Sequence, residues 1–103
     1  MNIIIVGCGK VGFTLAETLS SEGHDISVVD NNEDAVSRLS ALDVIPIKGN
    51  GSSYRVLLDA GVKDCDILIA VTNRDEINLL CCLIAKKAGN CRTIARVRNP
   101  DYY

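Results

Sequence analysis

An open, doubly wound α/β sheet is the fold class this 103-residue sequence predicts, and three observations carry the prediction. Five short apolar runs, at 3–6, 26–29, 44–47, 67–71 and 93–97, are continuous rather than alternating and rich in Ile and Val. Such runs suit parallel strands covered on both faces. Helical patterns separate them, and strand–helix alternation at this spacing means right-handed crossovers. Finally, the first run feeds directly into Gly7-Cys8-Gly9-Lys10-Val11-Gly12, a glycine turn that opens a helix. Together these give a Rossmann-like parallel sheet of order 3-2-1-4-5, with ligand expected at the carboxyl ends of the strands beside the switch point. The sixth strand of a full dinucleotide-binding fold is expected to be missing or truncated.

In the first helix Val11, Leu15, Ala16 and Leu19 share a face, and in the second Ala35, Val36, Leu39 and Leu42 do so. A short third helix at about 53–60 ends at Gly61, a suitable C-cap. The fourth, at about 74–88, is the longest and ends before Gly89-Asn90. Its core face reads Ile77, Leu80, Cys81, Ile84, Ala85 and Ala88. Leu79, Cys82 and Leu83 lie opposite. A helix apolar on both sides is usually covered on both, although scattered exposed apolar residues are the plainer reading.

Residues 1–103 form one domain by length, and a hydrophobic fraction of 48% excludes a disordered tail. A formal net charge of -2 gives no reason to expect nucleic acid as a partner. No apolar run approaches the roughly 20 residues of a membrane span, and no signal peptide is read at the N-terminus. The five cysteines, Cys8, Cys65, Cys81, Cys82 and Cys91, are odd in number, include no CxxC, and several sit in apolar segments. They read as small core residues of a protein kept in a reducing cytoplasm. With one histidine and no cysteine pair at zinc spacing, no metal is expected.

The nucleotide site is assembled from five places. In the glycine turn, Gly7 permits the tight bend, Gly9 lets phosphates approach the backbone, and Gly12 lets helix and sheet pack. The N–H groups of Cys8, Lys10, Val11 and their neighbours then face a diphosphate. Asp30 ends the second strand, where a carboxylate accepts from both ribose hydroxyls or, alternatively, caps the next helix. Asn31 follows it, and with no adjacent arginine a 2′-phosphate would meet Asp30 unneutralised, which disfavours NADP. Gly49, Asn50, Gly51 and Ser52 follow the third strand and either flank an adenine or form an ordinary turn. Thr72 and Asn73 follow the fourth strand; Asn73 with Glu76 resembles a capping box, and the same turn faces the crevice. Arg96 and Arg98, in or just after the fifth strand, are placed either to read phosphate oxygens or to form surface salt bridges.

No catalytic residue is expected. His24 lies between the first helix and second strand, at the opposite end of the sheet, and Cys8 has no neighbour that would activate it.

Four stretches, IIIVGCGKVGFTLAETL, ISVVDNNEDAVSRL, IKGNGSSYRVLLDAGVKDCDILIAVTNRDEINLL and TIARVRNPDYY, resemble the TrkA-N (RCK or KTN) nucleotide-binding domain of Trk-type potassium-uptake regulators across essentially the whole chain. DEINLL and ARVRNPDYY are the specific part. The resemblance implies a cytoplasmic regulatory protein, peripheral at the inner face of the membrane. It would bind NAD(H) or ATP/ADP and control a membrane potassium-transporter subunit. It implies contacts at the five places just named, and a homo-oligomer with the fourth helix (Leu79, Leu83) as a contact. Because family members continue past the PDY stretch, the sequence reads as a fragment of a longer regulator. The rival reading is the N-terminal NAD-binding half of a dehydrogenase without its substrate domain.

Overall fold

The structure is a computed structural model and describes residues 1–102; Tyr103, the end of the quoted ARVRNPDYY stretch, lies outside the described residues. Five parallel strands, β1 (Asn2–Val6), β2 (Asp25–Asp30), β3 (Ile45–Lys48), β4 (Ile67–Ala70) and β5 (Arg92–Ala95), form one sheet in the order β3-β2-β1-β4-β5. The helices that connect them are α1 (Lys10–Ser21), α2 (Glu33–Arg38), α3 (Tyr54–Asp59) and α4 (Asp75–Ala88). After β5 the described residues hold only a 3-10 turn, Pro100–Tyr102.

Each face of the sheet has its own core, which explains the unbroken apolar runs. Along β1, Ile3 and Ile5 join Ile26, Val28, Ala16 and Leu39 on one face. Ile4 and Val6 point the other way and join Val29, Leu57, Leu68 and Cys81. A strand with both faces covered has no position for a polar residue, so period-two alternation disappears. Each such fully buried Ile, Leu or Val contributes about 1.5–3 kcal/mol relative to exposure. The outer strands are less covered: Ile45 on β3 and Ile94 on β5 are 62% and 55% exposed.

Several sequence expectations shift. β5 stops at Ala95, so Arg96 and Arg98 lie past the strand rather than in it. α2 is short and continues as a 3-10 turn, Leu39–Ala41, which still buries Leu39 as the pattern requires. Val11, expected on the core face of α1, is exposed, and the buried residues of that helix are Gly12 and Ala16. On α4 the buried stripe runs through Asn78, Cys81 and Ala85. Leu80 is therefore exposed beside Leu79 and Leu83, whereas Cys82 is half-buried against the core. The rest of the expected face, Ile77, Cys81, Ile84, Ala85 and Ala88, lies in or against the core.

A candidate nucleotide site at the carboxyl end of the sheet

β1 and β4 run parallel in direct register, Ile3 beside Ile67 through Val6 beside Ala70, and the helices that follow them, α1 and α4, pack on opposite faces of the sheet. The gap this opens is a cleft of about 740 Å³. Its floor is the glycine turn, and its walls are the ends of β2 and β4, the loop after β3 and the segment after β5.

The three glycines of the turn answer to different neighbours. Gly7 has φ +105°, and a Cβ there would stand 2.8 Å from the Thr72 nitrogen. A Cβ on Gly12 would run into the Gly7 carbonyl oxygen. These two serve the protein's own packing. A Cβ on Gly9 would meet nothing within 4 Å, so there the missing side chain leaves open space in the cleft. Gly9 is also the N-cap of α1 and offers no side-chain cap. The first helical bond runs from Phe13 N–H to Gly9 oxygen at 2.9 Å, which leaves Lys10, Val11 and Gly12 without intrahelical acceptors. Those N–H groups and the helix dipole make an anion cradle. Cys8 lends its backbone only: its side chain is 1% exposed and lies 3.7 Å from the Ala35 carbonyl. Burial, and next the Asp30 charge, push its thiol up, which disfavours the thiolate.

Asp30 is not a helix cap; Asn32 caps α2, accepting the Ala35 N–H at 3.0 Å. Instead Asp30 Oδ2 accepts the Cys8 N–H at 2.7 Å and Oδ1 accepts the Asn32 N–H at 2.8 Å. The carboxylate thus ties the glycine turn to β2, with further lone pairs open to the cleft. Asn31 stands beside it on the rim. One residue that the sequence reading missed, Arg38, also lines this side. It shares a helical face with Asp34 and Ala35, and that i, i+4 spacing was the available signal. Arg38 thus supplies, from α2, the arginine that is lacking in the sequence next to Asp30.

Gly49, Asn50 and Gly51 line the next wall; Ser52 does not, and neither does Gly12. Asn50 Oδ1 is occupied, accepting from Ser52 N–H at 2.9 Å and from its hydroxyl at 2.8 Å. Gly51 is buried, and a Cβ on it would strike Val6 Cγ1. Gly51 is thus required by packing against β1 and α4, and Gly49 by the Val56 side chain of α3.

At the end of β4, Thr72, Asn73 and Arg74 line the cleft with Arg96 and Arg98. The expected capping box is absent: Arg74 is the N-cap of α4 and makes no side-chain cap bond. Thr72 closes the turn instead, its Oγ1 accepting the Arg74 N–H at 3.2 Å. Arg96 is half-buried, and its Nη2 donates to the Val71 and Thr72 carbonyls at 3.0 and 2.7 Å. Its Nε is buried and has no partner among the described residues. Arg98 is exposed; its backbone N–H donates to Asp75 Oδ1 at 3.0 Å, and Asn99 N–H to Asp75 Oδ2 at 2.8 Å. Those two backbone donors hold the Asp75 carboxyl below its ordinary value. His24 is remote, with Nδ1 3.2 Å from the N-terminal amine at the other end of the sheet.

The family model of the TrkA-N domain matches residues 3–103. The chain belongs to the TrkA-N family. This TrkA-N domain is 45% identical over 102 residues to the Trk system potassium uptake protein TrkA homolog of Archaeoglobus fulgidus, a match covering 99% of this chain and 23% of that protein. It is 39% identical over 103 residues to the homolog of Methanothermobacter thermautotrophicus, covering 99% of this chain and 48% of that one. The chain therefore spans 23% and 48% of the length of these two relatives. Among solved structures, the TrkA-N domain of the inner membrane protein ybaL from Escherichia coli superposes with a TM-score of 0.86 at 24% identity, over 97% of this chain and 75% of that one. That likeness concerns the fold. The GsuK channel bound to NAD gives a TM-score of 0.83 at 25% identity, over 98% of this chain and 18% of that one. GsuK bound to ADP gives 0.82 at 25% identity, over 98% and 27%. No helix among the described residues of the TrkA-N domain is long and apolar enough to cross a membrane.

Proposed function

We propose that the TrkA-N domain is a regulatory nucleotide-binding unit, residues 1–103, of a longer potassium-transport regulator, and that the cleft holds NAD(H) or ATP/ADP as a signal rather than as a reagent. One observation carries the reading: the open space at Gly9 lies in front of the unpaired N–H groups of α1 and in the same cleft as the Asp30 carboxylate. A diphosphate fits the first and an adenosine ribose the second. Thr72, Asn73, Arg96 and Arg98 then stand where further phosphates or a second nucleoside extend. That GsuK, of similar fold, has been solved bound to NAD and bound to ADP supports both ligand classes. The names of the TrkA relatives, proteins of a potassium uptake system, support a membrane potassium transporter as partner. Regulation requires only that ligands differ in affinity between two arrangements of neighbouring domains. The raised thiol of Cys8 and the distance of His24 from the cleft support a non-catalytic role. We further propose that α4 contributes a contact between copies through Leu79, Leu80 and Leu83.

Calorimetric titration with NAD⁺, NADH, ATP and ADP tests the reading. Both classes are expected to bind wild type and to be lost in Asp30→Ala; Asp30→Asn, which keeps an acceptor for the Cys8 N–H, separates ribose recognition from support of the turn. Arg98→Ala is expected to weaken ATP more than adenosine. Tight binding of NAD(H) alone, with ATP and ADP silent, overturns the shared-site reading in favour of a redox sensor or a dehydrogenase half.

A further inference from the structure

Asn78 sits on the inner face of α4 with no exposed surface, the one polar residue in the buried set. Cys81 and Ala85 on the same stripe show what the position asks for on packing grounds alone. Its carboxamide makes four hydrogen bonds. Oδ1 accepts from the Thr72 N–H at 2.9 Å and from the Thr72 hydroxyl at 2.7 Å. Nδ2 donates to the Thr72 carbonyl at 3.1 Å and to the Arg96 carbonyl at 2.9 Å. Two acceptor bonds and two donor bonds use the whole capacity of an amide. An ionised aspartate has no donor for the carbonyls, and a leucine would leave all four groups buried and unpaired.

The two residues held in this way both line the cleft, whereas Asn78 does not. The Thr72 carbonyl also accepts from Arg96 Nη2 at 2.7 Å, and the Arg96 N–H donates to the Ala70 carbonyl at 2.9 Å. The Val71–Thr72 peptide is in turn the surface against which Gly7 is packed. One side chain inside α4 therefore sets the end of β4, the start of the segment after β5 and, through contact, the glycine turn.

We propose that Asn78 is a positioning residue for the nucleotide cleft: it fixes Thr72 and Arg96 from inside α4 and transmits a displacement of either to that helix. The inference rests on the nucleotide reading of the cleft. It places α4, with its exposed leucines, under the control of the phosphate end of the site.

The test uses the intact chain, with the side-chain amide of Asn78 assigned by through-bond NMR correlation. On saturation with ATP or ADP, the Asn78 Nδ2 resonances are expected to shift although no ligand atom can reach them, while those of Asn90, at the far end of α4, stay in place. Thr72→Val, which removes the hydroxyl bond to Asn78 Oδ1, is expected to weaken ATP about tenfold, the size of one lost buried hydrogen bond. Adenosine affinity is expected to stay within about twofold, and Thr72→Ser to restore ATP binding. If the amides of Gly9 and Lys10 shift on ligand addition while Asn78 stays fixed, the positioning role is overturned and the nucleotide reading stands. Equal losses of ATP and adenosine in Thr72→Val overturn it likewise. If nucleotide produces neither heat nor shifts, the reading of the cleft fails and the inference falls with it.

Discussion

Gly9 and Gly12 belong to one turn, but only Gly12 is closed in by backbone. An alanine at Gly12 places its Cβ on the Gly7 carbonyl oxygen, and backbone has to move to admit it. Gly12→Ala is expected to destabilise the fold by about 1–3 kcal/mol or more, read by urea denaturation. Gly9→Ala meets no atom within 4 Å, and its φ of -77° suits alanine. It should cost no more than about 1 kcal/mol of stability, while nucleotide affinity falls because the Cβ occupies the space offered to the diphosphate. Equal stability losses would mean that both glycines are structural. The spacing of the glycines and the strand-end position of Asp30 were legible from the residues alone, because both express local geometry. The role of Asn78 was not. In sequence it is a polar letter on an apolar helical face; its partners Thr72 and Arg96 lie 6 and 18 positions away, and only the packed helix brings them together.

Among the elements, α4 carries the most consequences. Its first residue, Asp75, holds the segment after β5 by accepting the N–H groups of Arg98 and Asn99, and Glu76 accepts the Tyr102 hydroxyl at 2.9 Å. The Asp75 pKa is lowered from 3.8 by those backbone donors. A depressed carboxylate contributes stability that is present above its unfolded value and lost as pH falls through the folded one. Amide protection of Arg98 and Asn99 is therefore expected to be intact at neutral pH and to disappear as the solution is taken below about 3.9, with Asp75→Ala, which has no side-chain acceptor, unprotected throughout. On its outer face, Leu79, Leu80 and Leu83 are 38%, 43% and 54% exposed. The acidic start (Asp75, Glu76) and basic end (Lys86, Lys87) of the helix would complement each other in an antiparallel pair of copies. Leu79→Glu/Leu83→Glu is expected to reduce the light-scattering mass of a dimeric or larger wild type; an unchanged mass removes this contact. The capping-box pattern misled at this helix because Asn73 and Glu76 have the right spacing, yet the Thr72 hydroxyl, fixed by Asn78, takes the Arg74 N–H.

At the scale of the whole molecule, the cleft draws on four of the five strand ends and on the segment after the fifth, so a bound nucleotide is expected to stabilise the fold globally. At a ligand concentration of about 100 times Kd the gain is about 2.7 kcal/mol, which raises Tm by roughly 10 °C in a domain of this size. Asp30→Ala should show no such rise; a rise of the same size there would place the ligand elsewhere. The strand order, the two-sided core and the switch-point location of the cleft followed from the sequence. Continuous Ile- and Val-rich runs, helical periods between them and a glycine turn are local signals, and right-handed crossovers leave few ways to assemble them. What the tertiary structure alone decided is which side chains the assembled ends share. The Asn50 oxygen is used within its own loop. Arg96 clamps two carbonyls of β4's exit, and on α4 Asn78 is buried while Leu80 faces outward. Each of these depends on hydrogen bonds and contacts between segments distant in sequence, or on a competition for one donor within a turn. Neither composition nor periodicity encodes such choices until the backbone is in place.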